Sequence, residues 1–297
     1  MSGFTDQLFH VLSRPFAGEG EKPNFLIGGA PRSGTTTLAD LLGNHPDVYL
    51  CPMKEPQYFS AYFNNPDSWY MRQFTPPEGV IAVGEASTNY IYRENVPERV
   101  YRFNPDMNLI FILRDPVKRA YSHYKREIQT HGVNDDFMNL LKGSDHYIKP
   151  GLYYTHFERF RAYFPEDQIQ LLIFENFINS PIQVLERVAD FLGVKNRFPD
   201  MDLRKKANPS RFPRSIKLQQ IIYRLFGQRD GEPIYLRYIK GGMRLVFTRM
   251  NERGERESSF PELGSREVDY LKEIYEPEVK KINQHIENNV LEFWNFE

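Results

Sequence analysis

The chain has 297 residues, with 38 Lys and Arg against 39 Asp and Glu and a formal net charge of −1. So even a balance leaves no electrostatic footprint for nucleic acid or a membrane surface, and any anion site must be local. The single cysteine, Cys51, excludes an intramolecular disulfide framework and a cysteine zinc cluster, and no run approaches the roughly 20 apolar residues of a spanning helix.

Residues 1–23 read as a lead-in arm. Phe4, Leu8, Phe9, Val11 and Leu12 make a short amphipathic stretch that Pro15 and Gly18 break, without the basic start and cleavage site of a signal peptide. The expectation is a soluble, cytoplasmic chain. Residues 24–29 predict a buried strand ending in Gly28 and Gly29, and Thr35 to Asn44 predict a helix that Pro46 stops. Strand, small-residue loop and helix form the architecture of a phosphate cradle. Glycine lets backbone N–H groups converge on an anion, and the helix start adds unpaired donors. The ATP-type loop is G-x-x-x-x-G-K-[ST]. Gly29 and Gly34 keep its spacing and Thr36 supplies the hydroxyl, but Thr35 stands in the lysine position and Arg32 is the strong cation. That lysine normally reaches the β/γ-phosphates, so its loss argues against ordinary ATP or GTP hydrolysis. A plain βα turn without a ligand is the alternative.

Val48–Leu50 is a second strand, followed by the irregular segment Cys51–Phe59, shaped by Pro52 and Pro56. Ligand groups gather at the carboxyl ends of strands in open parallel sheets, which puts Lys54 and Glu55 on the cradle's rim. Val80 to Val83 reads as a strand ending at Gly84-Glu85, and Pro97 to Phe103 as a helix. Leu109 to Leu113 is a continuous apolar run, the mark of a central parallel strand, and it stops at Arg114. Asp115 can cap a helix with Pro116 at its first position. Val117, Ala120, Tyr121, Tyr124 and Ile128 share one face of that helix, with Arg119, Ser122 and Arg126 off it.

Residues 129–150 predict a long polar loop with one helical turn, then a helix from Leu152 to Phe164 and a strand from Ile169 to Phe174. Ser180-Pro181 starts a helix that Gly193 ends. Residues 195–214 are basic and irregular, with Lys205, Lys206, Arg211 and Arg214. A helix around 215–227, a stretch to 264 without clear period, an amphipathic helix from Glu267 to Ile286 and a docking Trp294 complete the chain. His45, His123 and His156 lack metal spacing and read as packing or surface residues. Alternating strands and helices imply an α/β class, a three-layer α/β/α fold with a central parallel sheet of the P-loop nucleotide-binding type. The expected organisation is one domain over 1–297: the arm 1–23, a core 24–195 with the cofactor site, and a C-terminal helical part 196–297.

The ordered motifs resemble a known family. Pro31-Arg32-Ser33-Gly34-Thr35-Thr36-Thr37-Leu38, His45-Pro46-Asp47 and Lys54-Glu55-Pro56-Gln57-Tyr58-Phe59 are similar to the start of a sulfotransferase. Val96 to Tyr101, Leu109 to Pro116 and Arg119-Ala120-Tyr121-Ser122 resemble the second half of its cofactor site, in the manner of the heparan sulfate N- and 3-O-sulfotransferase branch and its bacterial relatives. The resemblance implies transfer of a sulfuryl group from 3′-phosphoadenosine-5′-phosphosulfate (PAPS) to a hydroxyl or amine, without a metal. It assigns Arg32, Ser33, Gly34, Thr35, Thr36 and Thr37 to the 5′-phosphosulfate, and Arg114 and Ser122 to the 3′-phosphate. It makes Glu55 the general base, with Lys54 or Arg32 stabilising the leaving oxygen. The implied partner is a carbohydrate or a small hydroxylated or aminated metabolite, not nucleic acid. Ala86 stands where the 3-O branch has a lysine, which points away from a heparan-type acceptor. The late Lys-Gly-Arg cofactor loop is absent, with Arg211 or Arg214 as substitutes. The competing readings are a P-loop kinase of a small molecule and a nucleotide-binding module without catalysis.

Overall fold

The computed structural model describes residues 20–198, 212–227, 232, 234–252, 260–287 and 289–297. The apolar run Phe25–Gly29 is β1, buried at every position, as a strand covered on both faces must be. With β2 (Val48–Leu50), β3 (Ala82–Ala86), β4 (Asn108–Leu113) and β5 (Ile169–Ile173) it builds a five-stranded sheet in the order β2-β3-β1-β4-β5. Every pairing is parallel, with Leu26 opposite Glu85 and Ile27 opposite Ile110.

Parallel neighbours need crossovers, and helices supply them. Between β1 and β2 runs α1 (Thr35–Leu42); α2 (Asp67–Met71) precedes β3, and α3 (Val96–Phe103) precedes β4. Next come α4 (Pro116–His131), α5 (Phe137–Gly143) and α6 (Tyr153–Arg161) before β5, then α7 (Phe174–Asn179) and α8 (Pro181–Leu192). Phe25, Ile27, Ile110 and Ile112 face Leu38 and Leu42 of α1 and Val184, Leu185 and Val188 of α8 in one core. On the opposite face Phe111 meets Phe160 of α6 at 4.8 Å between ring centroids. Helices therefore cover both faces, the three-layer arrangement expected from the alternation.

β3 begins and ends later than the pattern implies. Its register is set by Asn24, whose Nδ2 donates to the Ile81 carbonyl at 2.8 Å and whose Oδ1 accepts from Val83 N at 2.9 Å. The charged Glu85 looks like a boundary in sequence, but it lies inside the strand, fully buried.

The chain forms two compact units. The sheet unit holds, among the described residues, 20–119, 149–198 and 272–297. The helical unit holds 120–148, 212–227, 232, 234–252 and 260–271. Within the helical unit the expected loop is more ordered than predicted. α4 continues to His131, and α5 is capped by Asp136, whose Oδ1 accepts from Asn139 N at 3.1 Å. Tyr124 stacks on Phe137 at 4.7 Å, and Tyr147 closes on Phe137 at 5.6 Å. α9 (Ile216–Phe226) pairs with α10 (Ile234–Met250), joined by Gln219 Nε2 to Thr248 Oγ1 at 2.9 Å. α10 escapes sequence reading because Gly241-Gly242 interrupts it and apolar residues such as Val246 and Met250 stay exposed, which blurs its period. α11 (Ser265–Ile282) and the short α12 (Val290–Phe293) follow. Trp294 is buried in the sheet unit, its ring 6.0 Å from that of Tyr153.

The arm up to residue 19, and Lys205, Lys206 and Arg211, lie outside the described residues. Arg214 is described, its backbone N–H bonded to the Asn251 carbonyl at 2.5 Å. Among the described residues no helix is long and apolar enough to cross a membrane.

Candidate active site

The loop between β1 and α1 sits at the carboxyl edge of the sheet. Gly34 is the N-cap of α1 with φ +87°, a conformation that L side chains rarely adopt, and a Cβ there would come 2.9 Å from Phe174. Gly34 brings no capping side chain to α1, which leaves the first-turn N–H groups to an anion. Ser33 is completely buried and its Oγ has no partner among the described residues. A buried hydroxyl left unpaired costs about 1–3 kcal/mol, a penalty that an acceptor oxygen from a ligand would remove. Thr35 is also buried. Thr36 Oγ1 accepts from Lys54 Nζ at 3.1 Å, which ties the segment after β2 to the cradle.

Arg114, at the end of β4, is drawn into the same place. Its Nη1 donates to the Arg32 carbonyl at 3.1 Å, and the guanidinium lies 4.8 Å from the centre of the Phe174 ring. Its Nε is buried without a partner among the described residues. The Tyr153 hydroxyl donates to the Arg114 carbonyl at 2.8 Å. Burial lowers the Arg114 pKa from its ordinary value, opposed mainly by the nearby Glu175 carboxylate. Asp115 is the helix cap expected of it: Oδ1 accepts from Val117 N at 2.9 Å and from Lys118 N at 3.2 Å.

Glu55 faces the cradle's rim from the segment after β2. Its Oε1 accepts from Thr88 Oγ1 at 3.3 Å and its Oε2 from Gln57 Nε2 at 3.2 Å. Gln57 in turn is fixed by its backbone N–H on Ser87 Oγ at 3.0 Å. Among the described residues, four non-glycine positions have positive φ; Arg32, Glu55 and Gln57 are three of them. Such left-handed residues cost of order 1–3 kcal/mol each and gather where the surrounding structure holds a functional geometry.

Behind this rim lies Glu85. Burial raises its pKa from 4.5 to about 7, against the hydroxyls of Tyr90, Ser87 and Tyr70, which pull it down; Tyr70 donates to Oε1 at 3.3 Å. Ser122 belongs to the helical unit, buried on α4 two turns beyond Asp115.

The structure thus brings Arg32 to Thr37, Lys54, Glu55 and Arg114 to one edge of the sheet unit, at the ends of β1, β2 and β4, with Ser87 and Thr88 from the end of β3. Sequence reasoning missed Thr88, Gln57, Phe174 and Glu175. Thr88 was findable, since it stands two residues past the carboxyl end of β3. Glu175 was not: it accepts from Asp115 N at 3.2 Å and from Trp294 Nε1 at 3.1 Å, across 60 and 119 residues. His45 and His156 are packing residues as expected, each with Nε2 at 2.6 Å from a backbone carbonyl.

Residues 22–214 match the family described as "Sulfotransferase domain". Mouse heparan sulfate glucosamine 3-O-sulfotransferase 3B1 is 31% identical over 202 residues, 64% of this chain and 51% of that protein. Mouse bifunctional heparan sulfate N-deacetylase/N-sulfotransferase 3 is 30% identical over 200 residues, 59% of this chain and 23% of that protein. The chain therefore spans about half the length of the first of these relatives and less than a quarter of the second. Among solved structures, a sulfotransferase from Alicyclobacillus acidocaldarius superposes with a TM-score of 0.58 at 26% identity, covering 77% of this chain and 96% of that one. The mouse sulfotransferase SULT7A1 complexed with PAP shares the fold, with a TM-score of 0.51 at 14% identity over 96% of this chain and 92% of its own. Because the family match runs unbroken through the cradle, the Lys54–Phe59 segment and the Arg114–Ser122 stretch, the chain belongs to the sulfotransferase family.

Proposed function

We propose that the chain is a PAPS-dependent sulfotransferase acting on a hydroxyl or amine of a carbohydrate acceptor. The observation that carries this reading is a P-loop-type cradle without its lysine, in which Ser33 Oγ and Arg114 Nε are buried with no partner among the described residues. Two donors of that kind beside an uncapped helix start suit a ligand rich in anionic oxygens. The printed names of the curated relatives, heparan sulfate sulfotransferases, support the carbohydrate class.

PAPS, when bound, supplies the activated sulfuryl group. Arg32 to Thr37 and the first turn of α1 hold its 5′ end. Arg114 takes the 3′-phosphate, where a guanidinium offers a charge-assisted and bidentate contact; the resemblance gives Ser122 the same phosphate. Glu55, oriented by Thr88 and Gln57, removes the proton from the attacking oxygen or nitrogen of the acceptor. Lys54, placed on Thr36, and Arg32 offset negative charge that develops at the cradle. No γ-phosphate is present in PAPS, so the missing lysine removes nothing that the reaction needs.

Calorimetric titration with 3′-phosphoadenosine-5′-phosphate (PAP), against ATP with Mg²⁺, tests the reading. Micromolar PAP binding with little ATP binding is expected. Tight ATP binding indifferent to the 3′-phosphate would overturn it in favour of a kinase.

A further inference from the structure

Away from the cradle, within the helical unit, three histidines surround one carboxylate. On α4, His123, Glu127 and His131 recur at four-residue intervals and so share one helix face. His146, beyond α5, reaches the same point. Three imidazole nitrogens converge on a single oxygen, Glu127 Oε1: His146 Nε2 at 2.8 Å, His131 Nδ1 at 3.5 Å and His123 Nε2 at 3.8 Å. The second oxygen of Glu127 accepts from the Tyr147 hydroxyl. The donor atoms of His123, Glu127 and His146 all lie within 4.8 Å of one another.

A packing explanation accounts for one such hydrogen bond, not for three rings aimed at one oxygen. A tetrahedral cation with bonds of about 2.0–2.2 Å holds its ligand atoms about 3.4 Å apart. The observed separations of 2.8 and 3.8 Å from Glu127 bracket that value. Imidazole and carboxylate together suit zinc-class ions, whereas calcium and magnesium take oxygen alone. His131 is itself steadied by the Tyr223 ring, 4.0 Å away between centroids.

We propose that His123, Glu127 and His146 bind a zinc-class divalent cation, with His131 and Tyr147 orienting Glu127. The ion joins α4 to the segment that follows α5, clipping the helical unit together. The site is independent of the sulfuryl-transfer reading, since none of its residues belongs to the cradle. The sequence conceals it because His146 stands 15 residues beyond His131, across α5.

The test uses the full chain, freed of any affinity tag and of metal by chelation, dialysed against zinc chloride and assayed for bound metal. One equivalent of zinc per chain is expected, with a rise in Tm, and cobalt substitution should give the visible absorption of a tetrahedral site. Magnesium chloride should do neither. His146→Ala and His123→Ala should each weaken zinc at least about tenfold, and neither should change PAP affinity, which also reports that the variants are folded. Substoichiometric zinc uptake by the unmodified chain, or uptake unchanged in the His123→Ala/His146→Ala double variant, would overturn the proposal.

Discussion

Arg114 Nη1 donates to the backbone carbonyl of Arg32 at 3.1 Å, a bond between residues 82 positions apart. It ties the end of β4 to the cradle after β1 within the sheet unit. Among the described residues the Nε of the same guanidinium has no partner, and its carbon lies 4.8 Å from the centre of the Phe174 ring.

Arg114→Ala is expected to weaken PAP much more than AMP. A hydrogen bond to a charged group is worth about 1.5–3 kcal/mol, so the loss should be roughly tenfold to a hundredfold for PAP. Titration calorimetry with both nucleotides measures this. Equal losses would remove Arg114 from the 3′-phosphate.

Glu55→Gln should leave PAP affinity nearly unchanged while turnover falls by roughly 10²–10⁴-fold, the usual worth of a positioned general base. The amide keeps the shape and one acceptor for Thr88 but cannot take a proton. A rate near that of the parent chain would show that another group is the base.

Gly34→Ala combines a strained φ of +87° with a Cβ 2.9 Å from Phe174. A cost of about 1–3 kcal/mol is expected, seen as a Tm lower by several degrees. Adding Phe174→Leu should recover only part of it, because the second substitution relieves the clash and not the backbone. Full recovery would mean that strain at position 34 is negligible.

Two buried groups give opposite pH dependence. Glu85 is raised from 4.5 to about 7, so the folded chain holds a proton that the unfolded chain has lost; its contribution is full below pH 4.5 and is lost as pH rises to 7. His156 is lowered from 6.5 to about 4, chiefly by burial; its contribution is full above pH 6.5 and is lost as pH falls to 4. Each shift corresponds to about 3 kcal/mol at 1.36 kcal/mol per pH unit. Between pH 4.5 and 6.5 the two oppose each other. Urea midpoints of Glu85→Gln should therefore climb more steeply from pH 5 to 6.5 than those of the parent chain, and those of His156→Gln should fall. Parallel curves for all three would discard both assignments.

Local pattern was enough for the frame. The strand Phe25–Gly29, the Gly34 turn into α1, the buried run of β4, the Asp115 cap with Pro116, and the Gly193 stop are all short-range effects: apolar periodicity, backbone freedom and capping act within a few residues. The candidate cofactor residues were legible for the same reason, since the cradle is one contiguous stretch and strand ends mark the rim. Long-range contact had to supply the rest. The register of β3 depends on Asn24, the placement of Asp115 and Trp294 on Glu175, and the aim of Glu55 on Thr88. The convergence of His146 on Glu127 likewise needs α5 to fold back. Each of these hydrogen bonds joins residues 19 to 119 positions apart. Whether a side chain is a solvated surface group or part of a site is decided by what the fold lays against it, and no local pattern records that.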